Sequence, residues 1–423
     1  MDQKTTDQFL EILNTELVPA LGCTEPIALA YAAAKVRDVL GGFPEHMELY
    51  CSGNIIKNVK SVTIPNSGGL VGIEMAVILG AVGGDAAEDL KVLESVTPEH
   101  IQKAVELSKT DFLSCKLQEG VANLYIDILA QDQGHCAQVT IVNRHTLITK
   151  ILRDGEVLYR NDPIEKKETL DLAGMDVASI LDFANTVDLD RVRELLDRQI
   201  TSNEKISQEG LNNPYGAQVG RTLLECYGQD IKVRARACAA AGSDARMNGC
   251  SLPVIINSGS GNQGLTVSLP VVEYAREWGK SQEELYRALL ISNLVSIYQK
   301  HYIGSLSAFC GAVTAACGAG AGITYLAGGD YQAICRTIVN TIGNVGGIIC
   351  DGAKSSCAAK IASALDAAIL GFELSMKGRV FKPGEGIIQE DIEETIRSTG
   401  YVGRVGMKTT DVEILNLMLH QCH

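Results

Sequence analysis

Between residues 302 and 329 the chain carries no charged side chain, and glycine, alanine, serine and cysteine supply most of its residues. A stretch that long without charge has to be buried, either in a bilayer or inside the protein. With so few Leu, Ile or Phe, its membrane-insertion signal is weak. Small residues at Gly-x-x-x-Gly spacing let helix backbones approach closely, so the segment reads as a helix packed deep in a protein interior. Its surroundings must supply a large core, and 423 residues suffice for two or more domains.

Hydrophobic residues make up 46% of the chain and charged ones 21%, the balance of a soluble globular protein. A net charge of −14 argues against nucleic acid or an anionic membrane as partner, and leaves a small zwitterionic ligand open. The first eight residues are polar and acidic rather than basic and then apolar, which points to the cytoplasm. Thirteen cysteines, an odd number, suit free or metal-bound thiols in a reducing compartment better than a disulfide framework. A symmetric homo-oligomer, most simply a dimer, is the default assembly.

The periodicities give an α+β protein. A mixed α/β part covers residues 1–205, and a helix-rich part covers 206–423. Apolar spacing predicts helices over 6–20, 26–39 and 70–80, with Pro26 at the first position of the second and Gly41-Gly42 as its stop. Alternation predicts strands at 47–51, 121–130, 136–142 and 147–152, the last ending at the Asp154-Gly155 turn. Residues 161–210 are more charged and helical.

Three constellations carry candidate chemistry. The first is Gly22-Cys23-Thr24-Glu25-Pro26. Cys23 lies just ahead of a helix start, with Thr24 or Glu25 as cap, and the positive helix end would favour a thiolate, hence a base or nucleophile. A buried cysteine beside a capping threonine is the plainer alternative. The second is a pair of loops, Asn66-Ser67-Gly68-Gly69 and Asn257-Ser258-Gly259-Ser260-Gly261-Asn262-Gln263-Gly264, whose backbone N–H groups suit a carboxylate or phosphate. The third is Cys310, Cys350 and Cys357. Three thiolates can hold an iron–sulfur cluster and leave one iron open. A continuous helix over 350–357 would separate the last two by roughly 10 Å. Cys350 is therefore expected in a loop loosened by Gly352, and Cys357 on the following helix. Core cysteines on a small-residue helix are the plainer reading here too; Cys317 and Cys335 are assigned to the core. Seven scattered histidines form no His-x-x-x-His pair. Lys300-His301 is either a contact for a substrate carboxylate or a solvated helix end.

Taken together, Gly22–Pro26, Ser243-Asp244-Ala245-Arg246-Met247, the 257–264 loop and the three cysteines resemble the iron–sulfur L-cysteine desulfidase family. The second half of that family is related to the alpha chain of iron–sulfur L-serine dehydratases. The resemblance implies a 4Fe–4S cluster on Cys310, Cys350 and Cys357, which makes the helix-rich part a cluster-binding domain. It implies Cys23 as the base that takes the Cα proton of L-cysteine, giving pyruvate, ammonia and hydrogen sulfide. Thr24, Glu25, Asn66, Ser67, Gly68, Ser258, Gly259, Ser260, Asn262 and Gln263 would then line the substrate. Cys350 and Cys357 enclose six residues and no proline, which favours the desulfidase branch over the dehydratases. Cys422 is a candidate plug for the open iron, as in some dehydratases. The alternatives are an iron–sulfur L-serine dehydratase-like deaminase, a pyridoxal-phosphate lyase using Lys354 or Lys300, and a carrier that stores a cluster.

Overall fold

The computed structural model describes residues 1–161, 172, 174–304 and 306–419. The first part contains α1 (Gln3–Glu16), β1 (Pro19–Leu21), α2 (Thr24–Leu40), β2 (His46–Cys51), α3 (Gly53–Val59), α4 (Ile73–Gly83) and α5 (Pro98–Leu107). It continues through β3 (Leu113–Leu117), β4 (Tyr125–Asp132), β5 (His135–Val142), β6 (Ile148–Arg153) and β7 (Glu156–Arg160). Then come α6 (Val177–Thr186), α7 (Arg193–Asn212), α8 (Val219–Tyr227), α9 (Ile231–Met247), β8 (Pro253–Ile255), α10 (Gly261–Glu277), α11 (Gln282–Ile303) and α12 (Gly311–Leu326). The chain closes with α13 (Tyr331–Val345), α14 (Cys357–Met376), α15 (Ile392–Tyr401) and α16 (Lys408–Met418). The architecture is α+β, with an N-terminal sheet and a helical C-terminal region.

Strands β2 to β7 form one sheet in the order β3-β2-β4-β5-β6-β7, antiparallel except for the β2–β3 pair. Its buried face carries Ile126, Ile128 and Ala130 of β4 and Ala137, Val139 and Ile141 of β5. That alternation is what places them on one side of the pleat, and α2 packs on it. In the helical part α12 is surrounded by α10, α11, α13 and α14. Most of the uncharged segment is thus a buried helix, α12. No described helix is long and apolar enough to cross a membrane.

Backbone contact explains its composition. A Cβ added at Gly318 would lie 2.2 Å from the Ser292 carbonyl oxygen of α11, which is backbone and has nowhere to go. Gly318→Val is therefore expected to destabilise the fold by about 1–3 kcal/mol net, read as a lower urea midpoint at unchanged slope.

Several boundaries differ from the sequence reading. The first helix stops at Glu16, because residues 19–21 pair antiparallel with 253–255 as a two-stranded ribbon, β1–β8. Strands of three residues leave no readable alternation. The second helix starts at Thr24, so Pro26 is its third residue and Cys23 itself is the N-cap, in place of Thr24 or Glu25. The third helix begins at Ile73 rather than 70. Strands β3 and β7 were not expected. Residue 205 lies inside α7, and one buried cluster includes residues on both sides of it. Part of the 161–210 segment, and Cys422, lie outside the described residues.

Candidate active site

The β1–β8 ribbon sets the Cys23 motif beside the 257–264 loop. Cys23 is 2% exposed and makes no capping bond with its side chain. Its thiol donates to Glu25 Oε2 at 3.0 Å. The Thr24 hydroxyl lies 3.1 Å from that same oxygen and 3.0 Å from the Gly259 carbonyl. Asn58 Nδ2 donates to Glu25 Oε1 at 3.3 Å, and His145 Nε2 stands 3.9 Å from it. Burial pushes the Glu25 carboxyl up, but His145 and the bond from Cys23 outweigh it and hold the group at about 2. Cys23 moves the other way. Burial and then the Glu25 charge push its thiol well above the ordinary value, and the opposing pull of Arg246 does not cancel them. Burial first, and then the buried carboxylate in hydrogen-bond contact, oppose the thiolate that the helix start favours.

The sign gives a test. Glu25→Gln removes the charge that suppresses ionisation, so the pH midpoint for Cys23 modification by a small alkylating reagent should fall. Peptide mass spectrometry on cluster-free protein reads this; an unmoved or raised midpoint contradicts it.

Arg246 closes the second side. Its side chain is almost fully buried at the end of α9, yet its Nε has no hydrogen-bond partner among the described residues. The loop is shaped around it, since a Cβ at Gly261 would come 2.3 Å from that Nε. Ser260 is the N-cap of α10 without a side-chain capping bond, so the first N–H groups of the helix are open to a ligand. Asn262 donates to Met247 Sδ at 3.6 Å and keeps an unpartnered buried Oδ1. Ser258 Oγ donates to Asn257 Oδ1 at 3.0 Å, while Gln263 accepts from Thr314 of α12 at 3.4 Å.

The third side holds the thiols. Phe309 and Ile349 form an antiparallel bridge, with Cys310 N donating to Ile348 O at 2.9 Å and Cys350 N to Ala308 O at 2.6 Å. That register puts the side chains of Cys310 and Cys350 on one face. Cys310 is the N-cap of α12, and Cys357 opens α14 after Gly352, whose φ is +98°. A loop at Cys350 and a helix from Cys357 are what the sequence led one to expect. A hydrogen bond from Cys310 draws the Cys350 thiol below its ordinary range; burial opposes this, and Lys57 and Lys300 reinforce it. Burial pushes Cys357 up. Cys317 and Cys335 are buried core residues.

Among the described residues no group of three His, Cys, Asp or Glu side chains is arranged to hold a metal ion. A cluster is a different ligand: its cysteines bind separate corners of a cube and stand farther apart than the ligands of one ion. The donor set suits it, being all thiol, with the charges of Lys57, Lys300 and Lys360 acting on it. Lys300 is 7% exposed rather than solvated, whereas the neighbouring His301 is exposed. Burial holds the Lys300 ammonium below its ordinary value, against the pull of Cys350 and Cys310.

Helix α3 joins the sides. Asn58 reaches Glu25, while its neighbour Lys57 donates to the Cys350 carbonyl at 3.5 Å and pairs with Asp411 of α16. A cleft of about 450 Å³ opens beside this junction, lined among others by Lys57, Ile349, Asp351 and Leu417.

Other candidates are placed elsewhere or engaged otherwise. Asn66 donates to the Leu93 carbonyl at 3.1 Å, tying its loop to a distant segment, and Ser67 to the Ile64 carbonyl of its own turn at 2.6 Å. Gly68 is exposed in that turn. Lys354 pairs with Asp351 at 2.6 Å. The roles of Arg246, Lys57, Asn58 and His145 were not read from the sequence. Arg246 sat in a quoted motif without a role, and nothing local marks the other three.

The model of the serine dehydratase alpha chain matches residues 87–416, a span holding Arg246, the 257–264 loop and all three cysteines. The chain belongs to the serine dehydratase alpha-chain family. Cys23 and Glu25 precede the matched span. Full-length relatives cover them: a UPF0597 protein of Lachnoclostridium phytofermentans is 52% identical over 414 residues, 98% of this chain and 99% of that one. UPF0597 proteins of Desulfitobacterium hafniense and Treponema denticola are 50% and 47% identical, each across at least 97% of both chains. The family supports a lyase-like enzyme.

Proposed function

We propose that this protein is an L-cysteine desulfidase, which eliminates the β-sulfhydryl group of L-cysteine and releases hydrogen sulfide, pyruvate and ammonia. The observation that carries the reading is the bridge made by Lys57 and Asn58, adjacent residues that tie the Cys350 loop to Glu25 and hence to Cys23. A 4Fe–4S cluster on Cys310, Cys350 and Cys357 would supply a Lewis-acidic iron for the departing sulfur. Arg246 and the open N–H groups of α10 suit the substrate carboxylate, with Ser258, Gly259, Ser260, Asn262 and Gln263 framing it. Cys23, after a transient, uphill transfer of its own proton to Glu25 that the Arg246 charge assists, takes the Cα proton. Lys300 and Lys57 offset the negative charge gathered around the thiols. The aminoacrylate released by elimination hydrolyses to pyruvate and ammonia without further help.

The family match itself favours a second reading, in which L-serine is the substrate. Oxygen-free, iron-loaded protein should be assayed for pyruvate with each amino acid. A kcat/KM for L-cysteine at least about 100-fold above that for L-serine is expected, corresponding to roughly 2.7 kcal/mol of discrimination. A preference for serine overturns the substrate assignment. A yellow chromophore bleached by borohydride, in place of iron, would support pyridoxal chemistry.

A further inference from the structure

We propose that His145 relays protons between the buried Cys23–Glu25 pair and the surface. The inference rests on the reading of Cys23 as the base. A base that is 2% exposed cannot exchange its proton directly with solvent. Its thiol leads to Glu25 Oε2, while Glu25 Oε1 faces His145 Nε2 across 3.9 Å. That nitrogen is buried and has no hydrogen-bond partner among the described residues. His145 is also close enough to Glu16 to act on it electrostatically, and the Glu16 carboxylate lies 3.6 Å from Arg144 Nη2. Side-chain exposure rises along this line, from 12% at Glu25 and 13% at His145 to 15% at Glu16 and 39% at Arg144. The ring also abuts the substrate loop, since a Cβ at Gly259 would stand 3.3 Å from its Cε1.

The protons balance. Cys23 gives its proton to Glu25 Oε2 in a transient, uphill transfer, leaving a thiolate that the Arg246 charge favours. Glu25 passes a proton from its carboxyl to His145 Nε2 through one bridging water or a small rotation of the ring. The imidazolium releases a proton outward, which restores a neutral ring and a carboxylate. The thiolate then takes the Cα proton and becomes a thiol again. One proton leaves for each C–H bond broken, and no electrons change hands. His145 is a positioning and relay residue that acts through Glu25, and it does not touch the substrate.

The test uses iron-loaded wild type, His145→Ala and His145→Gln, each checked for folding by circular dichroism. For His145→Ala, kcat on L-cysteine should fall about 100-fold while KM changes less than about twofold, and imidazole in the buffer should restore about tenfold of the loss. His145→Gln keeps bulk and hydrogen bonding but cannot carry a proton, so it should stay slow with or without imidazole. Wild-type kcat in His145→Ala overturns the relay, as does recovery in His145→Gln without any imidazole effect on His145→Ala. Wild type that makes no pyruvate from L-cysteine or L-serine overturns the elimination reading and the relay with it, a result distinct from an active wild type with indifferent variants.

Discussion

Replacing Cys310, Cys350 or Cys357 by alanine should strip the protein of iron, whereas Cys23→Ala should keep its iron and lose turnover by about 100-fold or more. The split follows from where the thiols sit. Cys310 and Cys350 project from one face of a short backbone bridge, and Cys357 opens the next helix. Two thiolates hold a cube poorly, so each loss should be felt in full. Cys23 belongs to the other wall, bonded to Glu25 and not to the thiol group. Iron and acid-labile sulfide measured beside kcat separate the two classes. Iron retained in all three cluster variants, or full activity in Cys23→Ala, would refute the assignments.

Arg246→Met should raise KM far more than it lowers kcat. A buried guanidinium whose Nε lacks a partner is a waiting contact for a carboxylate. Losing one desolvated charge-assisted contact of this kind costs about 2–4 kcal/mol, a rise in KM of about 30- to 1,000-fold. Stability should move the opposite way or not at all. Removing a buried charge that lacks a full set of partners relieves desolvation, so the melting temperature should hold or rise. An unchanged KM together with a collapsed melting temperature would make Arg246 a structural residue instead.

Much of this was legible in the chain. The charge-free, glycine-rich segment announced a tightly packed internal helix, and the Ser292 carbonyl against Gly318 is its physical reason. The β4–β5 and β5–β6 pairs showed through alternation, because one face carries apolar core residues and the other polar ones such as Asp127, Gln138 and Thr140. The placing of Cys350 in a loop followed from helix geometry together with Gly352 and the supposition that Cys350 and Cys357 share one cluster. What stayed hidden was assembled over long sequence distances. Asn58 meets Glu25, and Lys57 meets Cys350 almost 300 residues away, neither contact having a local signature. His145 sits in a turn between β5 and β6, where histidine is unremarkable by pattern. For Cys23 the sequence left a thiolate and a buried thiol both open, because a helix start is visible in sequence whereas burial and the ionised neighbour that oppose it are not.

The most direct measurement is iron and sulfide quantitation on wild-type protein purified and reconstituted without oxygen. About four of each per chain, with visible absorption that bleaches in air, is the expected result for a cluster on three cysteines. Protein that folds normally, takes up no iron under these conditions and yet releases pyruvate from L-cysteine would contradict the central claim, that Cys310, Cys350 and Cys357 exist to hold the metal side of this site.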